Sequence, residues 1–129
     1  MRHSVKILLA LAATWLLVAG AQAQTSLPAA TPTARAAVER QAKQLAHELS
    51  LSPDQQGRLR NVLLLTRQHM DADRTANAAN PAALRTAMAY DRAKSEELIR
   101  EVLTPAQYVR YQQYKAQRIG QLRMTSQTD

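Results

Sequence analysis

The sequence predicts an all-α protein: about four helices forming two helix–turn–helix hairpins, elongated in shape. Apolar side chains recur at helical spacing through most of the chain, and no stretch alternates as a strand would. Two segments begin with Ser or Thr followed by Pro, which is typical of a helix N-terminus. The 129 residues contain three Gly and no Cys. We therefore expect a fold held by helix packing rather than by disulfides.

The chain opens on a segment typical of a secretory signal peptide. A short basic stretch precedes an apolar run over residues 7–19, and Ala21–Ala23 supplies the small residues of a peptidase site. An uncleaved membrane anchor is the alternative, but the run is shorter than the ~20 residues that span a bilayer. We therefore expect residues 1–23 to be removed before Gln24, leaving a periplasmic protein without stable membrane insertion.

The chain that remains is basic. Without residues 1–23 it has 106 residues, with 15 Lys and Arg against 10 Asp and Glu. A positive balance suits polyanions, anionic lipid surfaces and acidic protein segments. Nucleic acid is not an expected partner, because an exported protein rarely meets it.

Residues 24–33 are small, polar and Pro-containing, which predicts a flexible leader before a helical domain at residues 34–123. Residues 124–129 are expected to be a disordered tail. Helices are predicted at about 34–49, from 53 to a break near 77–81, at 82–102 and at 105–122. Each carries an inward stripe: Val38, Ala42, Leu45 and Leu49; Leu59, Leu63, Thr66 and Met70; Leu84, Met88, Asp91, Ser95, Leu98 and Val102; Tyr108, Tyr111, Lys115, Ile119 and Leu122.

One five-residue phrase occurs twice, as LSPDQ and as LTPAQ, 52 positions apart. In each copy the hydroxyl residue is the predicted N-cap, Pro the first helical residue and Gln the third, whose side chain closes a capping box. Two good capping boxes are a sufficient structural explanation for either copy alone. The motif positions are Leu51, Ser52, Pro53, Gln55, Leu103, Thr104, Pro105 and Gln107.

Paired motifs in a small, exported, cysteine-free helical chain resemble the LTxxQ-motif family of periplasmic proteins, the Spy/CpxP group. The second copy matches LTxxQ fully, and the first has Ser52 in place of Thr. The resemblance covers residues 38–118. It implies an elongated helical cradle, an antiparallel dimer, and an ATP-independent chaperone for unfolded envelope proteins or an adaptor that restrains a stress-sensor protein. Some members of this group bind metals such as zinc.

The sequence gives little support to an enzyme or to a cofactor. After residue 23 it has two His and no Cys, and it lacks a phosphate-binding loop or a nucleophile motif. A metal site is the alternative function: His69 and Asp73 lie on one helix, and His47 on the neighbouring helix offers another ligand. No His-x-x-x-His pair is present, and partly exposed helix histidines are the plainer interpretation.

A chaperone needs weak, broad attraction from positive charge mixed with modest apolar contacts. The predicted outer row of the second helix supplies Arg60, Leu64 and Arg67, and the fourth helix supplies Tyr114 and Arg118. We expect these five residues to contact unfolded or partner proteins. We also expect a homodimer through apolar stripes that contain Val38, Leu45, Leu59 and Leu63.

Overall fold

The computed structural model describes residues 26–127, which form four α-helices and no strand. The helices are α1 (Pro32–Leu49), α2 (Pro53–Ala76), α3 (Pro81–Val102) and α4 (Pro105–Thr125). The predicted all-α class is confirmed. The predicted signal peptide and its cleavage point lie outside the described residues. None of the helices within 26–127 is long and apolar enough to cross a bilayer.

All four helices start in the same way, with Pro at the first helical position and a polar N-cap before it. The N-cap side chain accepts a hydrogen bond from the backbone N–H three residues later in every case. Because Thr31 caps α1, the helix begins at Pro32 and shortens the predicted leader by two residues. At the other end, α4 continues to Thr125, two residues into the predicted tail.

The helices pack in the order α4, α1, α2, α3. The most extensive contact joins α2 and α3, followed by the contact between α1 and α2, whereas α4 touches α1 lightly. The α1–α2 corner turns at Ser50, whose φ of 52° is left-handed. The core lies where the helices meet near the two motif corners. Its buried members are Val38, Ala42, Leu45, Leu49, Leu59, Leu63, Ile99, Val102, Leu103 and Tyr111.

Two of the predicted stripes differ from the observed burial. On α3 the stripe is buried as predicted at Met88, Asp91, Ser95 and Val102, but Ile99 replaces Leu98 as the buried apolar residue. On α4 only Tyr111 is buried. The distal part of that stripe faces solvent, with Ile119 52% and Leu122 67% exposed. The slight contact between α4 and α1 leaves the later part of α4 without enough neighbouring surface to bury this stripe.

The residues that the sequence predicts for the dimer face are wrong. Each of the four side chains assigned to it is buried within a single chain, so none is free to meet a second copy. The residues concerned are Val38, Leu45, Leu59 and Leu63. Their apolar surface is used by the packing of α1 on α2.

Candidate functional site

The two motif copies meet in space. Both capping boxes are formed: the N-cap hydroxyl accepts from the third backbone N–H, and the Gln side chain accepts from the N-cap N–H. The amide of Gln55 donates to Gln107 Oε1 at 2.7 Å, and the amide of Gln107 donates back to Gln55 Oε1 at 3.2 Å. Each glutamine therefore caps its own helix and binds the other motif.

The junction has approximate two-fold symmetry. Gln55 Nε2 also donates to the carbonyl of Val102 at 3.1 Å, and Gln107 Nε2 donates to the carbonyl of Ser50 at 3.5 Å. Val102 and Ser50 are separated by the same 52 positions as the two glutamines. The repeat in the sequence is thus a repeat in the hydrogen bonds: the start of α2 binds the end of α3, and the start of α4 binds the end of α1.

Polar contacts from α4 add to the packing of its tyrosines against the core. Arg110 Nη2 donates to the carbonyl of Glu48 at 2.7 Å. The Glu96 carboxylate of α3 accepts from Tyr111 Oη at 3.0 Å and pairs with Lys115 Nζ at 2.7 Å. Burial, followed by the charge of Glu96 and its hydrogen bond, raises the pKa of the Tyr111 phenol. Tyr111 is therefore a neutral donor that anchors α4 on α3.

A cleft of about 640 Å³ opens between α1 and α4. Three cationic side chains line it, Arg40, Lys115 and Arg118, and none of its described lining residues is acidic. Glu96 neutralises Lys115, but no carboxylate in residues 26–127 pairs with either arginine. Its apolar surface comes from side chains that include Leu45, Tyr114 and Ile119.

Arg118 is held in place at the wall of this cleft. Its Nη1 donates to Tyr114 Oη at 2.9 Å and to Gln44 Oε1 at 3.5 Å. The guanidinium carbon lies 5.8 Å from the Tyr114 ring centroid, which adds a cation–π contact. These neutral partners orient the guanidinium and leave its positive charge without a paired carboxylate.

The structure separates the five sequence-derived contact residues into two groups. Tyr114 and Arg118 line the α1–α4 cleft. On α2, Arg60 pairs with Glu39 at 3.3 Å and Arg67 pairs with Asp71 at 3.3 Å. Leu64 is half-buried against the core, and its neighbour Leu65 is the exposed leucine of α2. The α2 row is therefore an ion-paired helix face, and Arg40 is a cleft cation that the sequence pattern did not single out.

The side chains offered for metal binding are not brought together. His47 is 90% exposed near the end of α1 and lies 4.0 Å from Glu48. The α1–α2 hairpin turns at residues 50–52, so His69 lies several helical turns further from that corner than His47 does. Within residues 26–127 no group of three or more His, Cys, Asp or Glu side chains could hold a metal ion.

An acidic contact that the sequence analysis missed lies between α2 and α3. Asp91 was placed on the inward stripe of α3, but its partners on α2, Asp73 and His69, were not identified. Helical spacing predicts which residues share a face, whereas it does not fix the register between two helices. The one sign of this contact in the sequence was that Asp91 interrupts the hydrophobic stripe of α3.

No family model matches the chain, and neither a curated protein nor a solved structure matches it. The resemblance to the Spy/CpxP group therefore depends on the paired motifs, and membership of that group stays a prediction.

Proposed function

We propose that this chain is an exported, ATP-independent chaperone-like or envelope-stress adaptor protein, which binds unfolded or partner proteins in the α1–α4 cleft. The observation that carries the proposal is the composition of that cleft. It combines uncompensated guanidinium groups at Arg40 and Arg118 with apolar side chains and no acidic lining. The paired motifs support the same class of protein through their resemblance to the Spy/CpxP group.

The charge of α4 supports a partner with acidic segments. Residues 105–125 contain Arg110, Lys115, Arg118 and Arg123 and no Asp or Glu. A helix of one sign attracts chains of the opposite sign over several ångströms and accelerates their encounter.

The exposed apolar residues of α4 support weak, non-selective holding after encounter. Ile119 reaches into the cleft, and Leu122 lies one turn further along the exposed part of the helix. Apolar contact is non-directional, so it accepts many sequences. Charge for capture and a shallow apolar surface for holding are the two properties that an ATP-independent chaperone needs.

The test is suppression of aggregation of a chemically unfolded client, without ATP, at stoichiometric amounts of residues 24–129. We expect protection by the wild-type chain and a marked loss in the double variant Arg40→Glu, Arg118→Glu. Arg85→Glu is the matched control, because Arg85 is an exposed cation on α3 that does not line the cleft.

Circular dichroism of each variant separates loss of the cleft from loss of the fold. Absence of protection by the folded wild-type chain would overturn the chaperone function. Equal protection by the cleft variant and the wild type would instead place the binding surface elsewhere.

A further inference from the structure

The α2–α3 interface contains a buried carboxyl oxygen that no donor in residues 26–127 reaches. Asp91 is 8% exposed and lies on the buried stripe of α3 between Met88 and Ser95. Its Oδ2 atom has no hydrogen-bond donor among the described residues. Because burying an unpaired carboxylate is costly, an acid in this core position requires a compensating partner.

The group that faces Asp91 from α2 is a second carboxyl, that of Asp73, within hydrogen-bonding reach. His69, one turn earlier on α2, is also close enough to act on it. Two facing carboxylates repel each other, whereas a single proton between them forms a hydrogen bond that satisfies both groups. Burial, followed by the Asp73 carboxyl, raises the pKa of Asp91, and the charge of His69 opposes that rise.

The remaining charged groups nearby are already paired. Lys94 of α3 lines the same small cleft as Asp91, but its Nζ lies 2.9 Å from Glu97. Asp71 of α2 pairs with Arg67 and Arg74 on the surface. Asp73 and His69 are thus the groups from α2 that decide the charge state of Asp91.

We propose that Asp73 and Asp91 form a proton-controlled latch between α2 and α3. With the shared proton in place, one carboxyl donates to the other and joins the two helices. When the proton is lost, two facing negative charges weaken the packing of α2 on α3. The latch lies on the α2–α3 interface and not in the α1–α4 cleft, so it does not depend on the proposed client binding.

Opening the latch would expose apolar surface. A cleft of about 240 Å³ beside Asp91 is lined by Leu65, Tyr90 and Leu98. Leu65 and Tyr90 are already partly in solvent. Separation of α2 and α3 at this point would therefore add Met88 and the buried face of Leu98 to an exposed apolar patch. The protonation state of the latch would then control how much apolar surface is available to a binding partner.

Proton linkage gives the direction of the pH dependence. A carboxyl whose pKa is raised in the folded state holds its proton more tightly there than in the unfolded chain. The free energy of unfolding therefore falls as the pH rises from the ordinary Asp value of 3.8 to the raised value, and it stays lower above that range. The latch is therefore strengthened as the pH falls and weakened as the pH rises.

Asp91→Asn tests the latch, because the Asn amide can donate to Asp73 at any pH. We expect its melting temperature to exceed that of the wild type at about pH 7, and this difference to narrow at about pH 3, below the ordinary Asp value from which the pKa of Asp91 is raised. Asp73→Asn should change the melting temperature in the same direction and with the same pH dependence. Asp71→Asn is the matched control: it removes a carboxylate from the same helix but should give no gain at neutral pH.

Carbon-13 titration of the carboxyl groups in the unmodified chain measures the latch without any variant. We expect Asp91 to titrate above the ordinary Asp range, and Asp73→Asn to shift that midpoint downward. An ordinary midpoint for Asp91 would overturn the proposal. So would a melting-temperature difference between Asp91→Asn and the wild type that is equal at both pH values.

Discussion

Gln55 and Gln107 join the two helix corners through a reciprocal pair of amide hydrogen bonds, 2.7 and 3.2 Å long. Each amide oxygen also accepts from the backbone N–H of its own N-cap, at Ser52 or at Thr104. The same two side chains therefore close two capping boxes and one junction between helices. This explains why the phrase occurs twice: each copy supplies half of the junction.

Removing one glutamine should lower the free energy of unfolding nearly as much as removing both. Gln55→Ala or Gln107→Ala leaves the other amide partly unpaired, at a cost of about 1–3 kcal/mol. The double variant should cost less than the sum, because the residues share hydrogen bonds. Denaturant unfolding of the four proteins measures this coupling, and Gln113→Ala, at an exposed position on α4, is the control. Strict additivity would contradict a shared junction.

The N-caps give a separate prediction. Thr104→Ala should lower the free energy of unfolding by about 1 kcal/mol, and Ser52→Ala by no more than that, because each removes one bond to an orphan N–H. Thermal melts at fixed protein concentration measure both changes. If both variants melt at the same temperature as the wild type, the hydroxyl groups do not stabilise the corners.

Sequence reasoning succeeded where the cause is local and failed where it depends on the relative placement of helices. Capping boxes involve four consecutive residues, so both corners could be identified before their contact was known. The reciprocal bonds of Gln55 and Gln107 could not, because they need α1 and α3 to end side by side. The same limit hid the Asp73–Asp91 contact. On α4, Ile119 has the right spacing for a core residue but remains 52% exposed in the open α1–α4 cleft.

Tyr111 should make the fold sensitive to alkali. The pKa of its phenol is raised by burial and by Glu96, so the unfolded chain loses this proton first as the pH rises. The free energy of unfolding should therefore fall above the ordinary Tyr pKa of about 10. Thermal melts across that range should show a smaller decline for Tyr111→Phe than for the wild type, after allowance for its lost hydrogen bond. Parallel declines would exclude Tyr111 as the cause.

The homodimer stays a prediction, and because the face first expected for it is buried, we propose the exposed end of α4 as the face instead. Near the end of α4, Ile119 and Leu122 are 52% and 67% exposed, and burying these apolar side chains against a second copy would stabilise this part of the helix. We expect sedimentation of the wild type to give a dimer at high micromolar concentration, and Leu122→Glu to shift it toward monomer. Gln121→Glu adds the same charge beside it and should have a smaller effect. A wild-type monomer at that concentration would contradict the prediction.

Client capture and client holding should respond to different substitutions. Capture depends on long-range attraction, so its rate should fall in the double variant Arg40→Glu, Arg118→Glu. The capture rate of the wild type should also fall as added salt shortens the Debye length below its physiological ~8 Å. The sequence-derived pair Arg60→Glu, Arg67→Glu should slow capture less, because Glu39 and Asp71 already compensate those charges.

Holding depends on apolar contact, so Ile119→Ser should speed client release while leaving capture and its salt dependence unchanged. Leu64→Ser is the informative comparison, because Leu64 packs against the core and its loss should lower the melting temperature rather than speed release. Stopped-flow fluorescence of a labelled, unfolded client measures both rates at low and high salt. If the α2 pair slows capture more than the cleft pair, the client surface is the α2 face and the α1–α4 cleft has another role.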